Sequence, residues 1–187
     1  TVGIAFVRNR AILRCNRYLE EMMGAAPGEL LGQASAVLFA NEEFGLSGAR
    51  TYARDHGNEA ALHTFGMESD LGAFAPLGLH SRVPPDRLPA IRAMQSLLAP
   101  LGVAYRGNDA SGDADVGQLL QLGVPVCDLD TDAAEYFDLH HTANDTFDKV
   151  DPLLLRRNVA CYAVLAWLAA DLEGGLGRAP KGRETGR

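Results

Sequence analysis

A chain of 187 residues with 47% hydrophobic content is long enough for one compact core and short for two complete domains. A net charge of -7 excludes a general basic field that would attract nucleic acid. Three cysteines (Cys15, Cys127, Cys161), an odd count with no Cys-x-x-Cys pair, argue against a disulfide framework and read as small core residues. No stretch reads as a signal peptide or a membrane span. The sequence opens at Thr1, so its natural start is expected upstream.

Val2–Val7 and Ala11–Asn16 are short apolar runs around Arg8-Asn9-Arg10 and predict a β-hairpin. A helical stretch, Arg17–Met23, stops at Gly24. Ala36–Ala40 reads as a buried strand running into Asn41-Glu42-Glu43, followed by a helix from about Ser47 to His56 closed by Gly57. Leu62–Phe65 is a further strand candidate ending at Glu68-Ser69-Asp70, and the Gly/Pro-rich residues through Pro85 read as a loop. Leu88, Ile91, Met94, Leu97 and Leu98 share one helical face, stopped by Pro100. Gly102–Tyr105 and Val124–Leu129 predict strands, with a helix over Val116–Leu122 between them. Asp151-Pro152 starts a long helix to Leu172, which Gly174-Gly175 ends. Alternating strands and helices predict an α/β three-layer sandwich with a mostly parallel (mixed) sheet.

Three groups of ligand-type residues follow predicted strands: Glu42-Glu43, Asp70 and His140-His141. Open α/β sheets gather their ligand sites at the carboxyl ends of strands. Carboxylate and imidazole are the donors a catalytic zinc takes, at roughly 2.0–2.2 Å. Of two adjacent glutamates, one can bind metal while the other takes a proton from the attacking water. Each group alone has a plainer reading. A Glu pair at a helix start complements the helix dipole, an Asp after a strand caps a turn, and His-His-Thr forms a polar surface loop.

The runs VLFANEEFGLSGARTYARDH, FGMESDLGAFAPLGL, GDADVGQLLQLGVPVCDLDTD and YFDLHHTANDTFDKVDP occur in this order. Together they resemble the C-terminal part of the di-zinc aminopeptidase and glutamate carboxypeptidase family, over about residues 35–173. Met67-Glu68-Ser69-Asp70 and the doubled histidine resemble its carboxypeptidase Q-like branch. The resemblance implies a zinc-dependent exopeptidase acting on a peptide or dipeptide through metal-activated water, with two zinc ions as cofactors. By position it makes Glu42 the general base, Glu43 and His141 ligands of the first zinc, and Asp70 a ligand of the second. His140 becomes a second-sphere or substrate-side group, with a plain loop residue the alternative. Asp145 orders the His141 loop, and Asp115 takes a structural position.

The family takes a further His and a metal-bridging Asp from well upstream of the Glu pair. This sequence has about forty residues there, with no Asp before Asp55 and no His before His56. His63 and His80 are conceivable replacements, a polar loop or strand-face role being the plainer reading. The upstream run VGIAFVRNRAILRCNRYLEEMMGAAPGELLGQ instead resembles the opening of a PAS sensory domain, over about residues 2–33. The expected organisation is a PAS-like segment at 1–34, a peptidase-like domain at 35–175 with its sheet truncated at the N-terminal side, and a disordered tail at 176–187. The PAS-like hairpin is a candidate to complete that sheet. The alternative to an enzyme is an inactive peptidase-derived scaffold or a PAS-linked interaction or sensory module, for which a homodimer is the expected partnership. Peptidases of this branch are exported whereas PAS domains are mostly cytoplasmic, so the two resemblances disagree on compartment.

Overall fold

A computed structural model describes residues 5–8, 11–15, 39 and 41–180. The chain divides into two units, Thr1–Phe39 and Ala40–Arg187; the expected join near Ala34–Val37 lies outside the described residues. In the first unit, β1 (Ala5–Arg8) pairs antiparallel with β2 (Ala11–Cys15), as the apolar runs predict. Ala5 faces Cys15 and Arg8 faces Ala11, with a register shift between Phe6 and Val7. The helix expected over 17–23 lies outside the described residues, as does the strand over 36–40 apart from Phe39. The hairpin forms a two-stranded sheet of its own, which shares no strand with the larger sheet among the described residues.

The second unit is built on a three-stranded mixed sheet in the order β4-β3-β5, with β3 at Pro76–Arg82, β4 at Ala104–Gly107 and β5 at Val126–Thr131. The pairing of β3 with β4 is parallel and that of β3 with β5 is antiparallel, so the sheet is mixed, as expected. The central strand β3 falls in the stretch read as a loop, where glycines and prolines hide an inward alternation. Leu79, Ser81 and Val83 are each 0% exposed, and His80 and Arg82 point the other way.

Of the five α-helices among the described residues, four fall where periodicity and caps put them, and one, a single turn, is not among the expected elements. The five are α1 (Ser47–Asp55), α2 (Leu88–Leu98), α3 (Gly117–Gln121), the single turn α4 (Tyr136–Leu139) and α5 (Pro152–Asp171). The Asp151 carboxylate accepts from the N–H groups of Leu153 and Leu154, at 2.7 and 3.3 Å, and Pro152 occupies the first turn. One apolar cluster joins Ile91, Met94 and Leu98 of α2, Cys161, Leu165 and Ala169 of α5, and Leu79, Cys127 and Leu129 of the sheet. Alternation then turns His80, Val126, Asp128 and Asp130 to the opposite face. Cys127 and Cys161 are buried free thiols, and burial pushes the Cys127 thiol up to about 12, which keeps it inert.

Two further expectations need correction. The strand at Leu62–Phe65 is replaced by a 3₁₀ turn, Gly57–Leu62, and a single parallel bridge from Gly66 to Val126. Gly66 passes so close that a Cβ there would lie 2.8 Å from Val116 Cγ1. The tail is packed as far as Pro180 rather than disordered from residue 176. Leu176 and Ala179 are buried, and the Arg178 guanidinium donates to the carbonyls of Ala60 and Leu122 at 2.8 and 2.9 Å.

Candidate active site

Glu42 and Glu43 sit in a tight turn ahead of α1, not in its first turn, so helix-dipole complementation does not account for them. The Glu42 carbonyl accepts from Gly45 and Leu46 N–H. Asn41 and Leu46 bracket the turn in the left-handed region, at φ 64° and 58°. Asn41 is further held by its side-chain amide, which donates to Ser47 Oγ at 2.9 Å.

Asp70 lies on a strap fastened at both ends. On the near side, Tyr162 donates its hydroxyl to the Glu68 carbonyl at 2.6 Å, and Glu68 Oε2 accepts from Asp115 and Val116 N–H, each at 2.9 Å. On the far side, buried Asn158 donates to the Phe74 carbonyl at 3.0 Å. Two side chains of α5 thus set where Asp70 stands.

His140 and His141 follow α4. His141 has φ 58°, and the turn is closed by Thr142, whose hydroxyl donates to the Leu139 carbonyl at 2.7 Å. Asp145 joins this turn through its backbone N–H, which donates to the Thr142 carbonyl. Tyr136, His140 and His141 stack in sequence, with centroids 4.5 and 3.7 Å apart.

A cleft of about 590 Å³ brings these pieces together: Glu42, Glu43, Asp70, His140, His141 and Asp145 all line it. Tyr136 and Lys149 line it too. The sequence reading gave neither a role, although Tyr136 stands one helical turn before His140, a spacing that could have flagged it. The His141 imidazole donates from Nε2 to Glu43 Oε1 at 2.7 Å, across ninety-eight residues of sequence. Partial burial, then the charges of Glu43, Asp70 and Asp115, hold the Glu42 carboxyl above the usual carboxylate range, with His141 opposing. Asp115 is buried beside this group. One of its oxygens has no hydrogen-bond partner, and burial followed by Asp70 raises its pKa. Such crowding of carboxylates is what a cation would relieve.

The donors suit zinc in kind, a carboxylate and an imidazole in contact. They do not suit it in number: among the described residues no three His, Cys, Asp or Glu side chains are grouped so as to hold a metal ion. His63 and His80 do not complete the set. The His63 ring contacts Tyr52 Oη and the Glu59 carbonyl. His80 lies in a second cleft, where its nitrogens meet Asp109 and Asp130 at 2.7 and 2.9 Å.

The model of peptidase family M28 matches residues 17–166, so the match begins inside the PAS-like run. Carboxypeptidase Q of Rattus norvegicus is 35% identical over 137 residues, which are 73% of this chain and 29% of that protein. The Homo sapiens protein of the same name is 33% identical over the same shares. The chain therefore spans under a third of the length of these relatives. A solved structure, the peptidase M28 precursor from Shewanella amazonensis SB2B, superposes with a TM-score of 0.73 at 46% identity, covering 76% of this chain and 32% of its own. On the family match and on these relatives, this chain belongs to peptidase family M28.

Proposed function

We infer that the cleft is the C-terminal part of a zinc-dependent exopeptidase site that hydrolyses terminal peptide bonds, working well below the capacity of a complete one. The observation that carries this reading is the convergence of Glu42, Glu43, Asp70 and His141 on one cleft, with Glu43 and His141 in direct contact. Glu43 and His141 are the residues to hold one zinc ion and Asp70 the other. Bound zinc supplies polarisation of the scissile carbonyl. Glu42 takes a proton from the attacking water and hands it to the leaving amine. A carboxyl already held above its usual range is better matched to both transfers. Among the described residues Glu43 and His141 offer one ion two ligands and Asp70 offers the other one, so metal binding by these residues alone is weak.

That no third ligand joins Glu43 and His141 among the described residues favours a second reading, a peptidase-derived scaffold without turnover, joined to a PAS-like interaction segment. Elemental analysis after dialysis against trace zinc, paired with a dipeptide hydrolysis assay, separates the two. The enzyme reading expects fewer than two zinc ions per chain and a slow rate. That rate should fall a further ~100-fold or more in Glu42→Gln. Unchanged turnover in that variant would remove Glu42 from the mechanism, and no zinc with no turnover would leave the scaffold.

A further inference from the structure

His141 is an exposed imidazole that core packing does not hold. Its side chain is 60% exposed, its backbone stands at φ 58°, and its Nε2 meets Glu43 Oε1 at 2.7 Å. Among the described residues no hydrogen bond reaches its other ring nitrogen. A histidine that ligates metal is ordinarily held in plane by a bond at that second nitrogen. Here a ring stands in for the bond. His140 lies against His141 with centroids 3.7 Å apart and planes 25° apart, and Tyr136 lies against His140 at 4.5 Å and 21°. Among the described residues Tyr136 and His141 make no ring contact of their own, so His140 is the middle of the stack. Tyr136 is the end that the fold holds. It is half-buried, belongs to α4, and its carbonyl accepts from His140 N–H at 2.8 Å.

We propose that Tyr136 is a positioning residue, whose ring acts through His140 to hold the His141 imidazole against Glu43. The spacing suits the role, since residues four apart share one helical face and His140 is the residue that caps α4. A rotation of His141 about its Cα–Cβ bond would part it from Glu43. In an exposed side chain no core packing opposes that rotation, whereas a stacked ring does. The phenol hydroxyl is a separate matter. Partial burial first, then the charges of Asp70, Glu43, Asp145 and Glu42, raise its pKa, so it stands among these carboxylates as a neutral group. Removing the hydroxyl alone, and then the ring, therefore tells hydrogen bonding from stacking. The ring contact does not depend on metal; its consequence for zinc rests on the peptidase reading.

Two-dimensional NMR on the zinc-free 187-residue chain, labelled at histidine, tests it. Wild type and Tyr136→Phe should show nuclear Overhauser contacts between the His140 and His141 rings, and Tyr136→Leu should lose them. Zinc titration followed by the melting temperature should then give Tyr136→Leu about tenfold weaker binding, with Tyr136→Phe within about twofold of wild type. His140→Ala breaks the stack at its middle and should match Tyr136→Leu, and His140→Phe should restore most of the loss. Ring contacts that survive in Tyr136→Leu would overturn the proposal. So would an equal loss in Tyr136→Phe, which would give the role to the hydroxyl. A lower zinc-free melt in Tyr136→Leu, with ring contacts and zinc affinity intact, would overturn it too and leave Tyr136 as packing alone. If wild type takes up no zinc, the peptidase reading fails, and the His140–His141 ring contacts still decide the proposal.

Discussion

Replacing Glu68 by alanine removes the clasp between the Asp70 strap and the start of α3. Its Oε2 accepts two backbone N–H groups, of Asp115 and Val116, both at 2.9 Å, and the side chain is half-buried. Asp115 and Val116 are themselves 8% and 7% exposed, so water replaces the carboxylate poorly at their amides. Leaving a buried donor unmade costs ~1–3 kcal/mol, and partial solvent entry brings two of them to ~2–4 kcal/mol together. For a domain of this size that lowers the melting temperature by roughly 5–15 °C. Glu68→Gln keeps an acceptor oxygen and should lose ~1 kcal/mol or less. Thermal and urea unfolding give the magnitudes, and amide hydrogen exchange gives the location. Protection at Asp115 and Val116 should drop in the alanine variant and persist in the glutamine variant. If Glu68→Ala unfolds within ~0.5 kcal/mol of wild type with both amides still protected, the clasp does not hold the strap and the reasoning fails.

The remaining predictions concern charge. Burial pushes the His80 imidazole down, but hydrogen bonds to Asp109 and Asp130 and their charges together outweigh it and leave the pKa raised. Both ring nitrogens face carboxylates, so the ring donates twice as an imidazolium. A raised pKa gives stability that is full below pH ~6.5 and fades as pH climbs through the folded value. His80→Gln should therefore destabilise at pH 5.5 and much less at pH 8.5, as read by paired thermal melts. Asp113 is lifted from 3.8 to about 6, first by burial and then by Asp128, Asp70 and Asp130. This contribution is present at low pH and lost as pH rises through about 6, so the ionised side chain strains the fold at pH 8. The full equivalent is ~3 kcal/mol, which screening of a solvent-accessible carboxyl cuts to ~1 kcal/mol. Asp113→Asn should raise stability by that ~1 kcal/mol at pH 8 and by nothing at pH 4 in urea titrations, helped by asparagine's tolerance of φ 48°.

Elements whose signal is local were legible in the sequence. The apolar face of α2 and the Asp151-Pro152 cap of α5 are encoded within a few residues, and both helices lie where they were expected. The central strand β3 was not legible, because the glycine that suggested a loop answers to packing. A Cβ at Gly78 would lie 2.7 Å from Arg106 Cγ and 2.8 Å from Asp130 Oδ2, on the two neighbouring strands. That requirement comes from residues about thirty and fifty positions away, beyond the reach of a periodicity argument. The cleft divides the same way. Glu42, Glu43, Asp70 and His141 stood out as ligand types after strands and share one cleft. Glu68 stood out only within the Met67-Glu68-Ser69-Asp70 run, and its role in fastening the Asp70 strap was not legible because its partners are 47 and 48 residues downstream.

Crowded carboxylates and left-handed turns are costs that the rest of the domain must carry. Asn41 and His141 adopt positive φ, at ~1–2 kcal/mol each for residues with a Cβ. Burial first, and then neighbouring carboxylates with Asp70 common to both, raise the Glu42 and Asp115 carboxyls above their ordinary range. A divalent cation in the cleft would offset that repulsion, and its effect on stability can be read without any catalytic turnover. With two or fewer protein ligands per ion, a dissociation constant of about 100 µM is a fair scale, and 1 mM zinc then adds RT ln(11), or ~1.4 kcal/mol. The melting temperature should rise by roughly 3–6 °C. His141→Ala removes an imidazole donor that is 60% exposed, so it should leave the metal-free melt near wild type and abolish the zinc-induced rise. A rise of equal size in that variant would mean that zinc binds elsewhere on this acidic surface. No rise in either protein would mean that the Glu43–His141 contact is a plain ion pair, and that family ancestry has left the shape of a metal site without its affinity.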